Sequence, residues 1–410
     1  MPRRTLFALS LACGVVALFF TVWIVAPAPS YNLWLVSVVA SEWSLWFGAL
    51  GLAGVALSLL ARAAGVSQTV MRLALILGLL AALLSLFPPL TAWREASARD
   101  IRLSLRRYIS GSLADAQGGR APVTFTYATN ANPGGRALEL DAYLPATENA
   151  QPRPAVVVVH GGSWSAGARS DFPRWNWWLV GEGYAVFDAD YRLAPQPNWR
   201  TATGDVKCAV GWVRANALRF NVDPQRIALY GRSAGGHLAL LAAYTTGDTR
   251  LPPSCAVADE GVRAVVSFYG VTDTAWAYAN PANQRVIDGP ATLRRFTGGT
   301  PDDSADVYRL ASPVSYISGV SGVSGVSGAS GRIPPTLLFH GARDQLVRAE
   351  NMDLLSTRLA SSRVPYDAVR LAYAQHGFDY NFDGWGSQVA QPVVAAFLRA
   401  QLSEPSLTHR

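Results

Sequence analysis

RIALYGRSAGGHLAL, residues 226–240, sets one serine between two glycines, after one apolar run and before another. Two readings compete: a nucleophile held out on a tight turn, or a small residue where a helix packs closely. The run ending at Gly231 is short and β-rich, and the residues from Ala234 onward suit a helix, so Ser233 falls on a strand-to-helix turn. Small neighbours at Gly231 and Gly235 let such a turn pass between strand and helix. A hydroxyl held there faces the cleft at the carboxyl ends of parallel strands, where open α/β sheets bind ligands.

The neighbouring runs supply such a sheet. VTFTYAT (123–129) and ALELDAYL (137–144) alternate apolar and polar residues, which predicts antiparallel edge strands. AVVVVHGG (155–162), YAVFDADY (184–191), RIALYG (226–231), AVVSFYG (264–270) and PTLLFHG (335–341) are mostly continuous in apolar residues. Runs of that kind are buried on both faces, as strands of a parallel sheet are. Helical segments, Thr203–Phe220 and Ala234–Thr246 among them, lie between the runs. The alternation predicts an α/β fold with a right-handed, mostly parallel sheet over residues 120–402, within single-domain range. SGVSGVSGVSGASG (318–331) interrupts it as a Gly/Ser-rich repeat with no packing face, expected to be a flexible loop without chemistry.

A serine nucleophile needs a base, and the chain has 5 histidines. His376 follows the β-rich run Val369–Tyr373 and precedes Gly377, so it sits on a loop at a strand's carboxyl end and is the expected base. His237 lies one helical turn past Ser233 and reads as a packing residue. His340 ends a buried strand and reads as shaping its loop. His160 opens HGGSW, and His409 is in the tail. Asp344, just past PTLLFHG, is placed to orient the imidazole and stabilise its cation. The order Ser233, Asp344, His376 is the one this strand-turn-helix arrangement carries. In HGGSW (160–164), Gly161 and Gly162 end a central strand. Their backbone N–H groups, with that of Ala234, are expected to meet the negative oxygen of a tetrahedral intermediate. Taken alone, the motif would read as a plain Gly-Gly turn.

HGGSW, YRLAP (191–195), DPQRIALYGRSAGGHLAL, HGARDQLV and HGFD together resemble the α/β-hydrolases, in particular the hormone-sensitive-lipase-like and feruloyl-esterase-like carboxylesterases. The resemblance covers nearly all of residues 121–402. It implies Ser233 as nucleophile, His376 as base, Asp344 as its acidic partner, and Gly161, Gly162 and Ala234 as oxyanion donors. Ser163 stands where the lipase-type HGGG has its third glycine, which moves the resemblance toward the feruloyl-esterase-like branch.

Trp164, next to the oxyanion glycines, is the expected substrate contact, whereas Trp175 and Trp178 lie three apart in a helical stretch and suit core packing. Asp273–Pro313 occupies the place where this fold inserts substrate-binding or lid segments, and its irregular, proline-rich sequence carries no readable specificity. Hydrolysis of small carboxylic esters is the leading reading. A serine peptidase of the prolyl-oligopeptidase type, acyl transfer at a membrane, and a membrane-tethered binding protein with an inactive hydrolase fold are the alternatives. The intact Ser, His, Asp and glycines argue against the last. No cofactor is expected, and no CxxC or Cys/His pattern points to a metal.

Half of the residues are hydrophobic, and the formal net charge is +7. Residues 1–120 hold 10 Arg and 4 acidic residues, a net +6, which leaves +1 for the rest. The basic excess belongs to the apolar N-terminal part, so nucleic acid is not indicated as a partner and a lipid bilayer is. Leu6–Val25 and Leu73–Leu90 carry no charge, and Leu33–Leu60 carries only Glu42. At about 1.5 Å per residue such runs cross a hydrocarbon core of about 30 Å. The expected organisation is a membrane module at 1–92 with helices near 6–25, 43–60 and 73–90, a basic linker at 93–119, and the hydrolase domain at 120–402. Tyr31–Glu42 is expected to be partly interfacial. A cleaved signal peptide fits the first run less well, because its apolar region is too long and a proline follows the candidate cleavage point. Trp93–Gln117 shows the spacing of an amphipathic helix, lying on headgroups or solvated as a linker.

Arg3, Arg4, Arg62 and Arg72 argue for a cytoplasmic N-terminus, and three crossings then put the hydrolase domain outside the cytoplasm. Arg94, Arg99, Arg102, Arg106 and Arg107 pull the other way. Cys208 and Cys255 would be free to pair if that domain is exported, but nothing in the sequence makes them adjacent.

Overall fold

The computed structural model describes residues 3–63, 68–111, 121–129, 137–146, 151–317 and 332–403. The repeat at 318–331, residues 112–119 of the basic segment and His409 lie outside the described residues. The N-terminal part is helical: α1 (Arg3–Thr21), α2 (Tyr31–Glu42), α3 (Ser44–Ala63), α4 (Gln68–Ser85), α5 (Phe87–Ala98) and α6 (Leu105–Gly111). Thr5–Ile24, Ser44–Arg62 and Met71–Ala98 are long and apolar enough to cross a membrane. They pack through small residues. A Cβ on Gly78 would stand 2.6 Å from the Gly51 carbonyl oxygen. Ser10 Oγ donates to the Gly54 carbonyl at 2.8 Å. Such close backbone approach is how apolar helices associate where no water drives them together.

The run Leu33–Leu60 is two helices that meet at Trp43, where a spanning helix near 43–60 was expected to begin, and Ser30 caps the first by accepting from Leu33 N–H at 3.4 Å. Two expectations change here. The third helical stretch runs past the end expected near residue 90, and Pro88-Pro89 does not stop it. Those prolines sit in the first turn of α5, where a missing N–H leaves no helical bond unmade, so the helical stretch reaches Ala98. The basic segment is neither one amphipathic helix on headgroups nor a solvated one. It breaks between Ala98 and Leu105 and is drawn onto the hydrolase domain. Arg99 bonds Glu95 at 2.9 Å and Asp367 at 3.0 Å, Arg107 bonds Asp383 at 2.6 Å, and buried Tyr108 stacks on Trp385 at 4.4 Å.

Beyond it the strands are β1 (Val123–Ala128), β2 (Leu138–Tyr143), β3 (Arg153–Val159), β4 (Ala185–Ala189), β5 (Val222–Arg232), β6 (Ala264–Phe268), β7 (Thr336–Gly341) and β8 (Tyr366–Leu371). Among the described residues they form one eight-stranded sheet in the order β1-β2-β4-β3-β5-β6-β7-β8. The β1–β2 and β2–β4 pairs are antiparallel, as alternation predicted, and the others are parallel; β1 is an edge strand, but β2, expected at an edge, lies buried between β1 and β4. This is an α/β-hydrolase fold, built on buried-run strands. The alternation of β3 shows why those runs had to be apolar throughout. Val157 and Val159 pack with helices α8 (Trp199–Ala215) and α9 (Ala234–Tyr244), while Val156 and Val158 pack on the opposite face. That face is covered by α7 (Pro173–Gly181) and α14 (Trp385–Leu402), and α13 (Glu350–Ser361) packs beside α8 and α9. Each such valine contributes on the order of 1.5–3 kcal/mol by leaving water.

The strand order reverses at β3, which has β4 on one side and β5 on the other, so a crevice opens at the carboxyl ends of β3 and β5. Over it lie α10 (Thr274–Ala279), α11 (Gly289–Thr297) and α12 (Ala305–Leu310), the segment whose sequence carried no readable pattern. Asp273 and Asp288 cap the first two by accepting from Trp276 N–H and Ala291 N–H, each at 2.9 Å. Cys208 on α8 is bonded to Cys255, with Cα atoms 5.5 Å apart and a sequence separation of 47. Closing a loop of that length is worth about 4 kcal/mol in the chain-entropy account.

Candidate active site

Ser233 stands between β5 and α9 with φ 53° and ψ −121°, a backbone state that non-glycine residues avoid unless neighbours impose it. The neighbours are identifiable. Ser233 N–H donates to the Phe268 carbonyl at 2.9 Å, and His237 N–H closes the first helical turn on the Ser233 carbonyl, also at 2.9 Å. The flanking glycines are there for contact. A Cβ on Gly235 would lie 2.2 Å from the Val159 carbonyl oxygen, and one on Gly231 would lie 2.2 Å from that of Gly235. The helix therefore packs closely, and that packing holds the serine out on its turn.

The loops after β7 and β8 bring the other two residues to it. His376 Nε2 is 2.8 Å from Ser233 Oγ, and His376 Nδ1 is 2.6 Å from Asp344 Oδ2. Because a carboxylate only accepts, the Nδ1 atom carries the proton and the Nε2 lone pair is turned to the serine. Asp344 Oδ1 accepts from Leu346 N–H at 2.8 Å and Val347 N–H at 2.9 Å. Its Oδ2 also meets His340 Nε2 at 3.1 Å, and that same nitrogen is 3.0 Å from the Val347 carbonyl. Both of those partners only accept, so His340 donates. Burial pushes the Asp344 carboxyl upward, but the His376 charge and the His340 and His376 hydrogen bonds outweigh it and hold it well below the usual carboxylate range. The Tyr269 ring packs on the His376 imidazole at 4.4 Å, and its hydroxyl donates to Asp379 Oδ1 at 2.5 Å.

The His237 side chain makes its hydrogen bonds outside this relay. Trp164 Nε1–H donates to its Nδ1 at 3.2 Å, so its Nε2–H must donate to the Ala311 carbonyl at 2.7 Å. Burial lowers its pKa to about 4, and it stays neutral as a packing residue. Trp175 and Trp178 are packed edge to face at 5.4 Å in α7, with Trp175 fully buried.

Gly161 lies against the serine: a Cβ there would be 3.3 Å from Ser233 Cβ. Gly162, Ser163 and Trp164 follow with φ of 108°, 52° and 57°, turning the chain sharply at the end of β3. Ser163, Trp164, Ser233 and Ala234 form one side of an apolar cavity of about 60 Å³. The other side comes from α10, the link to α11, α11 itself and the loop after β7, through Ala277, Ile287, Leu293 and Val347. Trp164 also stacks on Phe296 of α11 at 4.2 Å, tying the loop after β3 to the covering segment. Sequence reasoning missed this wall and the His340 bond. Small apolar side chains on irregular segments have no periodicity to detect, and His340 had only its strand position as a signal. Among the described residues no group of three or more His, Cys, Asp or Glu is gathered as for a metal ion.

A family model described as BD-FAE matches residues 140–359. Esterase LipC of Mycobacterium tuberculosis is 33% identical over 270 residues, covering 63% of this chain and 61% of that protein. Esterase LipQ of the same organism is 29% identical over 267 residues, covering 64% and 59%. The matches thus span about six-tenths of the length of these curated relatives. A propionate-bound thermophilic esterase from the Planctomycetes species Thermogutta terrifontis has a TM-score of 0.55 at 26% identity, covering 70% of this chain and 97% of its own. Its butyrate-bound form has a TM-score of 0.53 at 25% identity, covering 70% and 96%.

Proposed function

Because the chain belongs to the BD-FAE family, we propose that it is a serine esterase that cleaves small carboxylic esters through an acyl-enzyme, anchored in a membrane by its N-terminal helices. The observation that carries this reading is the unbroken relay from Ser233 Oγ through His376 to Asp344, at 2.8 and 2.6 Å. In it, Ser233 Oγ attacks the ester carbonyl carbon while His376 Nε2 takes its proton. Asp344, held ionised, stabilises the imidazolium and keeps Nδ1 protonated. Backbone N–H groups of Gly161, Gly162 and Ala234 stabilise the oxyanion, each donor worth about 3 kcal/mol in the transition state. The imidazolium then protonates the leaving alcohol, and water, deprotonated by His376, releases the acid. This chemistry calls for no cofactor. The small cavity beside Trp164 suits a short acyl group, in keeping with the propionate and butyrate held by the Thermogutta terrifontis esterase.

The test is a panel of p-nitrophenyl esters of graded acyl length with peptide anilides alongside. Turnover is expected to peak at two to four acyl carbons, with labelling by a fluorophosphonate probe and no anilide cleavage. Anilide cleavage in preference to esters would replace the reading with a peptidase.

The hydrolase domain is proposed to face away from the cytoplasm. Three spanning-length helices, the arginines at the N-terminus and the Cys208–Cys255 bridge, which persists in oxidising compartments, support this side. Alkaline phosphatase fused after Arg120 is expected to be active there, and a cytoplasmic fluorescent reporter dark. The reverse pattern would turn the domain inward and predict free thiols at both cysteines.

A further inference from the structure

The hydrolase domain does not merely hang from its helices: it turns its catalytic face toward them. The Ala28 N–H donates to Gln345 Oε1 at 2.7 Å, beside Asp344 in the chain. Asn283 Nδ2 donates to the Ala28 carbonyl at 2.6 Å and to Gln345 Oε1 at 2.9 Å. Arg343 bonds the Val25 carbonyl, and Asn381 Nδ2 donates to the Glu42 carbonyl at 3.1 Å. All these domain residues lie on the loops after β7 and β8 or on the segment over the crevice, which are the parts that build the catalytic cavity.

Between first and second spanning-length helices, α2 is layered. Trp34 and Val38 are buried against Val286 and Leu346 of the hydrolase domain. On the adjoining stripe Tyr31, Leu35 and Val39 are 51%, 44% and 41% exposed, with the Tyr31 ring 5.2 Å from that of Trp34. Their spacing of four residues puts them on one face. This helix begins just after one spanning-length stretch and ends just before the next, so in the membrane-anchored reading its bare apolar stripe lies at the bilayer surface. Beside it is an open vestibule of about 430 Å³ lined by Pro27 and Ala28 of the strap before α2 and by Asp344. Pro281, Ala282 and Arg348 line both this vestibule and the catalytic cavity, so the two share a wall.

We infer that the cleft takes its substrate from the bilayer surface: a short acyl group esterified to the alcohol of a membrane lipid. The inference rests on the membrane-anchored esterase reading. The acyl group occupies the small inner cavity, and the lipid alcohol lies in the vestibule with its tails still in the membrane. A cleft turned away from the bilayer would have to draw those tails into water, a loss of roughly fourfold in binding for each methylene. The ester bond breaks between acyl carbon and alcohol oxygen as the Ser233 Oγ–acyl bond forms. The lipid alcohol leaves with the proton from His376, and water then releases the short carboxylic acid.

The experiment uses the full chain reconstituted in phosphatidylcholine vesicles that also contain butyryl-dioleoylglycerol, with p-nitrophenyl butyrate in the water as a separate substrate. The expected result is butyrate release from the lipid ester that is lost in Ser233→Ala. Confinement in one bilayer should make it on the order of 100-fold faster than when the lipid ester is supplied in separate vesicles. Hydrolysis of p-nitrophenyl butyrate with no release from the lipid ester overturns the inference and leaves the esterase reading intact. Equal rates from the same and from separate vesicles also overturn it, because the substrate then arrives through water. If neither ester is cleaved, the esterase reading falls and this inference with it.

Discussion

Ser233→Ala is expected to lower p-nitrophenyl butyrate turnover by about 10⁶-fold, the loss seen when a triad loses its nucleophile. The substitution removes one oxygen and its 2.8 Å bond to His376, and nothing else in the contact set changes. Ser233 N–H still bonds the Phe268 carbonyl, and the Gly231–Gly235 approach that forces the positive φ is untouched. Alanine accepts that backbone about as poorly as serine, so the strain is the same in both. Stability should therefore change by no more than about 1 kcal/mol, the net worth of one hydrogen bond. Turnover of the purified variant and its thermal midpoint are measured together. A folded variant that retains near-wild-type turnover would remove Ser233 from the mechanism.

The second large effect is expected from Asp344→Asn, up to about 10⁴-fold in turnover. Its cause lies in the four donors that converge on the carboxylate: the N–H groups of Leu346 and Val347 on Oδ1, and His340 and His376 on Oδ2. An asparagine offers one acceptor and one donor end. Its oxygen satisfies the two backbone groups, and its amide nitrogen then faces the two imidazoles. His376 must answer by presenting Nδ1 as an acceptor, which moves its proton to Nε2 and leaves Ser233 without a base. His340 loses its partner on the same side, although the Val347 carbonyl still accepts from it at 3.0 Å. Turnover should recover partly at high pH, where the serine no longer depends on imidazole alone. An Asn variant with wild-type turnover across the pH range would show that Asp344 does not set the tautomer. The ionised Asp344 also carries a sign for stability. Its folded pKa is depressed, so its contribution is complete above the unfolded carboxylate value near 4 and is lost as pH falls below it.

The strands were legible because a strand buried on both faces must be apolar at every position, a demand visible within five to seven residues. β3, β4 and β6 meet it in full or nearly so. The turn at Ser233 was legible for a related reason: Gly231 and Gly235 mark where two backbones come within contact of each other. His376 and His237 separated on position alone, one at a strand end within 2.8 Å of Ser233 and the other inside a helix.

What local pattern did not carry was anything decided by a partner far along the chain. Trp93–Gln117 has the spacing of a single amphipathic helix. It is broken because Arg99 finds Asp367, and Arg107 and Tyr108 find Asp383 and Trp385, all more than 250 residues away. The pairing of Cys208 with Cys255, the second histidine on Asp344 and the apolar wall opposite Trp164 are of the same kind. The amino-acid sequence by itself determined the α/β layering, the nucleophile turn and the three spanning-length helices, since each depends on hydrophobicity and sterics between neighbours. The tertiary structure alone decided which end of the sheet meets the N-terminal helices. That choice is settled by Ala28 closing on Asn283 and Gln345, 255 and 317 residues along the chain, and no short-range period encodes such a contact.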